Sequence, residues 1–323
     1  MKRAFIFPGQ GSQFVGMGKD LAENFPEAKQ TFEAVDAALS QKLSNLMFSG
    51  EEADLNLTEN TQPALMAVSM AVVNVLVKQG GISLKDSCAF MAGHSLGEYS
   101  ALTAAGAIDI ADTAVLLKNR GQAMQKAVPV GEGSMAAILG LDFSDVKSIA
   151  EKAAAEVNIQ EQQKDLVCQA ANDNSVGQVV VSGNRLVVER AVDLATESGA
   201  KRAVILPVSA PFHCTLMAPA AQVMSEKLKQ TNIISPYVPV VSNVTAQGES
   251  DPDTIRNLLV EQITGMVRWR ESILWMGENG VDEMVELGAG KVLSGLVRRI
   301  NKEISCQSVG TPEQVEALIE ELA

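Results

Sequence analysis

Met91-Ala92-Gly93-His94-Ser95-Leu96-Gly97-Glu98-Tyr99-Ser100 is the stretch from which the rest of the chain is read. An apolar run, Cys88-Ala89-Phe90-Met91-Ala92, leads into it, and Glu98 to Ala105 follows with the composition of a helix. Strand, tight turn and helix, with a serine at the apex, is the setting that a Gly-x-Ser-x-Gly nucleophile elbow requires. Gly93 and Gly97 leave room for neighbouring backbone, so that Oγ of Ser95 can stand clear. The N–H groups that open the helix favour negative charge at the same spot. The string alone also fits a solvated strand-to-helix turn. The flanking strand and helix favour the catalytic reading.

Outward from the elbow, the chain alternates strands and helices. Residues 2–7 are mostly apolar, as a buried parallel strand is, and Pro8-Gly9-Gln10-Gly11-Ser12-Gln13 follows them as a loop. That loop lacks the full Gly-x-Gly-x-x-Gly spacing of a dinucleotide site. Helices are expected over 18–38 and 60–79, the second with Asn60 or Thr61 near its cap and Pro63 in its first turn. A further helix, 108–128, carries Lys118, Arg120 and Lys126 and ends at Pro129. From Ser134 to Leu206 the order becomes strand, helix, strand, strand, helix, strand, that of a ferredoxin-like unit. After it, strands near 239–242, 281–287 and 305–310 alternate with helices again. The expected fold is therefore α/β: a parallel-sheet, hydrolase-like core over 1–130 and 207–323, with a small ferredoxin-like α+β subdomain inserted at 131–206.

Composition narrows the classes. The 323 residues suffice for a large core, and 46% hydrophobic with 20% charged residues is ordinary for a globular protein. No stretch reads as long and apolar enough to span a bilayer, and the N-terminus reaches Pro8-Gly9 too soon for a signal-peptide core. The four cysteines, Cys88, Cys168, Cys214 and Cys306, form no Cys-x-x-Cys pair, which argues against disulfides and a zinc site and fits a reducing cytoplasm. A formal net charge of −13 makes nucleic acid an unfavourable partner and leaves an acidic protein only a local basic patch to dock on. No cofactor or metal is implied.

A serine nucleophile needs a base, and the chain has two histidines. His94 precedes Ser95 in an extended segment, so its side chain should point away, into a packing or hydrogen-bonding role. His213, in Ser209-Ala210-Pro211-Phe212-His213-Cys214, lies in a loop between a strand and a helix, where catalytic residues collect. No single Asp or Glu stands out as a third member, and a backbone carbonyl could orient the imidazole instead. The N–H of Leu96 is one oxyanion donor, and the loop at 9–13 could bring a second through Gln10, although a plain turn explains that loop equally. Arg120 could pair with a substrate carboxylate, but its spacing alone favours a solvated helix face. Gly288-Ala289-Gly290-Lys291 lacks phosphate-loop spacing and reads as a turn with a weak anion-binding option.

The sequence resembles the malonyl-CoA:acyl-carrier-protein transacylases of bacterial fatty-acid synthesis, nearly end to end. The markers are Phe7 to Gln13, Gly93 to Glu98, Arg120, Asn174-Ser175-x-Gly177-Gln178-Val179-Val180, Pro211-Phe212-His213, Gln262, and Glu286-x-Gly288-x-Gly290-Lys291-Val292-Leu293. The resemblance implies an acyltransferase that works through a malonyl-serine, with malonyl-CoA and the phosphopantetheine arm of acyl carrier protein as partners. It implies that Ser95 attacks the thioester and His213 takes its proton. It gives the oxyanion to the N–H groups of Gln10 and Leu96, and the malonate carboxylate to Arg120. A carbonyl at Gln262 would orient the histidine in place of an Asp. Phe212 before the histidine is common in malonyl-selective relatives, a weak mark, and Ala289 stands where many members have proline. Two other readings fit part of the pattern. A thioesterase or esterase would share the elbow but must admit water. A carrier-binding scaffold would need neither Ser95 nor His213.

Overall fold

In the computed structural model, which describes residues 2–208 and 210–323, the ten strands are β1 (Arg3–Phe7), β2 (Phe90–Gly93), β3 (Gly133–Leu139), β4 (Cys168–Ser175), β5 (Gln178–Asn184), β6 (Arg202–Ile205), β7 (Val240–Val241), β8 (Gly248–Glu249), β9 (Glu283–Leu287) and β10 (Ser305–Val309). Met1 and Ser209, both within segments read above, lie outside the described residues. β1 sends Phe5 and Phe7 into one apolar cluster and Ala4 and Ile6 into another, as alternate residues of a strand must. A strand covered on both faces needs the near-continuous apolar run that residues 3–7 have.

The main sheet has the order β10-β9-β1-β2-β7-β8. Its pairs are parallel except the last, β7 with β8. The sequence reading had no β8, because two residues give no periodic signal. In the parallel part Ile6 lies opposite Ala92 and Glu286. The loops after β1, β2, β7 and β9 therefore leave the same edge. Those loops hold Gln10, Ser95, Asn243 and Gly288.

The second sheet, β4-β5-β3-β6, is antiparallel throughout. Ala136, Ile138, Val179 and Val181 face the helices Phe143–Gln160 and Arg185–Glu197. Met135, Ala171 and Val180 point the other way and join the large core. Val267 ties the two sheets' territories together: the Asp173 N–H donates to its carbonyl at 3.0 Å, and its own N–H donates to Ala171 at 2.9 Å.

Three helix expectations need correction. The single helix expected over 18–38 is two, Lys19–Asn24 and Pro26–Leu39. Phe25 between them is extended (φ −126°, ψ 116°), because the ring of a following proline excludes the helical region. The next long helix runs Thr58–Lys78 with Leu57 at its cap, so neither Asn60 nor Thr61 caps it and Pro63 lies beyond the first turn. That helix also overturns the expectation that no stretch could span a bilayer. With 21 residues and a mean hydropathy of 1.3 it passes on length and composition. Its most apolar window is 89% buried inside the protein, packed on the helices Pro26–Leu39 and Ile110–Lys126. Its apolar surface is covered by protein, as that of a core helix is.

Candidate active site

Ser95 sits between β2 and the helix Leu96–Ala104 with φ 55° and ψ −108°, a backbone conformation that side-chain-bearing residues avoid. Such strain costs about 1–3 kcal/mol and persists only where the surroundings hold it. Around Ser95 they do. The Asn243 side chain accepts from the Ser95 N–H at 2.7 Å and donates to the Gly93 carbonyl at 2.7 Å. The Gln262 amide donates to the Ser95 carbonyl at 3.0 Å. The glycines are steric requirements: a Cβ on Gly93 would lie 1.9 Å from the Gly97 carbonyl carbon, and one on Gly97 2.3 Å from the Phe7 carbonyl oxygen.

His213 reaches Ser95 across 118 residues of sequence, with Nε2 at 2.8 Å from Oγ. Its Nδ1 lies 2.9 Å from the main-chain carbonyl of Gln262. A carbonyl accepts only, so Nδ1 carries the proton and Nε2 is free to accept from the serine hydroxyl. Burial, and next the nearby Arg120 charge, push the His213 pKa down to about 3, so the imidazole is neutral at physiological pH. His213 also has a positive φ of 58°. His94 turns from Ser95 as expected: its Nε2 is 2.8 Å from Oδ1 of Asn174 on β4, and its ring packs on Trp269 at 5.6 Å.

Arg120 is where spacing alone misleads. The guanidinium is 1% exposed rather than solvated. Nη1 donates to Gln62 at 2.8 Å, and Nη2 donates to Gln262 Oε1 at 2.9 Å and to Ser95 Oγ at 3.0 Å. The charge also lies over the Tyr99 ring at 5.6 Å. Behind it, Glu98 is buried and accepts from Gln262 Nε2 at 2.8 Å and from the Asn243 N–H at 3.0 Å. Burial raises its carboxyl pKa to about 7.

These groups meet on a cavity of about 430 Å³ between the two sheets. Gln10, Ser95, Leu96, Arg120, Phe212 and His213 all line it. Met135, Asn172, Asn174 and Val180 close it from the antiparallel sheet. Gln262 lies outside the lining and acts from behind. Chemically the cavity offers a hydroxyl bonded to a neutral base, the start of a helix beneath it, and a buried cation within reach of the same oxygen. The sequence reading missed Gln62, Asn243 and the placement of Glu98. Glu286, quoted as a marker, is a brace instead: it accepts from the N–H groups of Leu293 and Ser294 and fixes the Gly288 turn. No cluster of His, Cys, Asp and Glu among the described residues could hold a metal ion.

Residues 4–322 match the family model of the acyl transferase domain. The chain is 46% identical over 321 residues to the malonyl CoA-acyl carrier protein transacylase of Bacillus subtilis, covering 99% of this chain and 97% of the relative. It is 44% identical over 317 residues to the protein of the same name from Escherichia coli, covering 98% of each. Among solved structures, it superposes on an acyl-carrier-protein-S-malonyltransferase from Bartonella henselae with a TM-score of 0.94 at 55% identity, covering 100% of this chain and 99% of that one. A malonyl-transacylase in complex with its type II PKS acyl-carrier protein is similar at a TM-score of 0.92 and 41% identity, covering 99% of this chain and 100% of that one.

Proposed function

The chain belongs to the acyl transferase family, among the bacterial malonyl CoA-acyl carrier protein transacylases, and from that premise we propose that it moves malonyl from coenzyme A to acyl carrier protein through a malonyl-Ser95 intermediate. The observation that carries the proposal is the buried Arg120 guanidinium 3.0 Å from the same Ser95 oxygen that His213 approaches at 2.8 Å. A cation so placed has no use in a general esterase. It suits an acyl group that ends in a carboxylate.

In this reading Ser95 gives its proton to Nε2 of His213 as Oγ attacks the thioester carbonyl. The oxyanion forms against the N–H groups of Leu96 and Gln10, donors worth roughly 10²–10³ in rate each. His213 returns the proton to the departing sulfur, and the malonyl ester remains on Ser95. The carrier's phosphopantetheine thiol then enters and gives its proton to His213 as its sulfur attacks the ester carbonyl. The bond to Ser95 Oγ breaks, His213 returns the proton to that oxygen, and malonyl leaves on the carrier. The Gln262 carbonyl suffices to orient the base, because the imidazole need only be held in one tautomer. We assign Phe212 to the wall that shapes the acyl pocket. We read the Ser95 turn as a nucleophile elbow, 131–206 as a ferredoxin-like insert, and 1–130 with 207–323 as the acyltransferase core. A role in supplying malonyl units for fatty-acid synthesis in the cytoplasm follows from this assignment, with no nucleic acid or membrane involved.

Covalent labelling tests the reaction. With acyl-labelled malonyl-CoA the protein should form a labelled ester in a burst, then pass the label to carrier protein. Release as free malonate would mark a hydrolase, and no label would mark a scaffold.

An acidic carrier meets a protein of net charge −13, so its docking needs a local basic patch. Of the candidates Lys126, Lys201, Arg202, Arg268 and Arg270, the last two are engaged, Arg268 with Glu271 and Arg270 with Asp173 at 2.7 Å. Lys126, Lys201 and Arg202 are exposed and near the cavity in sequence, Lys126 two residues past Met124 and Arg202 at the start of the strand that leads to Leu206. Apparent affinity for carrier protein should fall as salt rises and the screening length shrinks below about 8 Å. A flat response would count against an electrostatic patch.

A further inference from the structure

Arg120 is a buried cation whose direct partners are all uncharged: two amide oxygens and a hydroxyl. The nearest carboxyl along its hydrogen bonds is one residue removed. Gln262 accepts from Arg120 through Oε1 at 2.9 Å and donates through Nε2 to Glu98 Oε2 at 2.8 Å. The amide dipole thus points its negative end at the guanidinium and its positive end at the carboxylate, a favourable line of cation, dipole and anion. Glu98 is 3% exposed and Arg120 1%, so both groups are buried.

The groups that face Glu98 are few. Arg120 comes from the helix Ile110–Lys126 and supplies the positive charge that favours the carboxylate. Tyr99 follows it on its own helix, burial raising the phenol pKa to about 12, so it stays neutral. His213, from the loop after β6, is held neutral. The Ser242 hydroxyl and the Asn243 N–H, after β7, and the Gln262 amide, on the helix Pro252–Thr264, are uncharged donors.

With the cavity empty, one buried positive and one buried negative charge balance. A substrate carboxylate on Arg120 adds a second negative charge, and an uncompensated charge in a buried site is costly. We propose that Glu98 is a positioning residue that serves, through Gln262, as the counter-charge of Arg120 in the empty cavity and takes up a proton when a substrate carboxylate occupies Arg120. This rests on the reading of Arg120 as the carboxylate clamp. Burial already places the Glu98 pKa at about 7, with Arg120 opposing the rise. Engaging that cation elsewhere raises it further. The protonated carboxyl keeps its partners: Oε2 still accepts from Asn243 and Gln262, and the new O–H can donate to the Ser242 hydroxyl.

Acylation itself is proton-neutral near pH 7. The Ser95 Oγ–carbon bond forms, the carbon–sulfur bond breaks, and the serine proton ends on the coenzyme A sulfur. Any proton removed from solution is therefore taken up by the protein. The unaltered protein should be mixed with excess malonyl-CoA in weak buffer containing a pH indicator, with malonyl-Ser95 counted by intact mass. Uptake should be about half a proton per ester near pH 7, rising toward one near pH 8. Glu98→Gln, which keeps an oxygen for Asn243 and Gln262, should abolish it. In the unaltered protein kcat/KM for malonyl-CoA should decline as pH rises through about 7, approaching tenfold per unit, while Glu98→Gln is flat from pH 6 to 8 because His213 stays neutral. Full malonylation without proton uptake would overturn the proposal, and so would equal uptake in Glu98→Gln. The first of these measurements needs no variant to fold. If Arg120→Ala spares malonyl over acetyl selectivity, the clamp reading fails. If that variant loses the selectivity and the unaltered protein takes up no proton, only the counter-charge role of Glu98 fails.

Discussion

Ser95→Ala protein incubated with malonyl-CoA should show a single unmodified mass, where the unaltered protein gains one malonyl group. The expected loss of transfer is roughly 10⁴-fold or more, because what remains is binding and oxyanion donors without a covalent path. Fold is not the cause of that loss. The turn at φ 55° is held by the Asn243 and Gln262 side chains acting on the backbone of Gly93 and Ser95, and those bonds do not involve Oγ. The melting temperature should therefore stay close to that of the unaltered protein. Adding His213→Ala to Ser95→Ala should cost little more, since nucleophile and base act as one unit at a 2.8 Å contact. A labelled ester that still forms on Ser95→Ala protein would place the nucleophile elsewhere.

The parts of this site that the sequence discloses are those with a local pattern or a scarce residue type. Ser95 is visible because β2, the turn and the helix are contiguous. His213 is visible by scarcity, as one of two histidines. The elements of the antiparallel sheet are visible because each strand and helix keeps its own periodicity, and β3 to β6 fall within a few residues of their expected places. What is hidden depends on pairings distant in sequence. Asn243 holds Ser95 from 148 residues away and Gln62 holds Arg120 from 58, and an Asn or Gln carries no mark of such a role. Gln262 meets His213 through a main-chain carbonyl, which every residue type has, so only the family pattern points to it. Arg120 shows the limit most plainly. A charged residue on a mixed helix reads as solvated, and the amides that make its burial tolerable lie on two other helices.

Arg120→Ala should invert the protein's preference between malonyl and acetyl thioesters. The two acyl groups differ by one carboxylate, a single methylene from the reacting carbonyl. In a cavity of about 430 Å³ that carboxylate loses most of its water and needs a charged partner. Arg120 is placed to be that partner, with Nη2 at 3.0 Å from Ser95 Oγ and so beside any acyl chain attached there. An acetyl group leaves the guanidinium with its neutral partners only, and the site rejects what it cannot pair. Charge-assisted hydrogen bonds contribute roughly 1.5–3 kcal/mol each, so a two-pronged contact separates the substrates by on the order of a thousandfold or more. Loss of the bond to Ser95 Oγ affects both substrates alike and does not blur the comparison. Malonyl transfer should therefore fall sharply in Arg120→Ala while acetyl transfer holds or improves. Arg120→Lys should recover only part, because an ammonium cannot present the planar fork and leaves Gln62 or Gln262 without a donor. The measurement is kcat/KM for malonyl-CoA and acetyl-CoA in the three proteins. Equal losses for both substrates would make Arg120 a brace for Ser95 and Gln262, and the carboxylate would then need another partner.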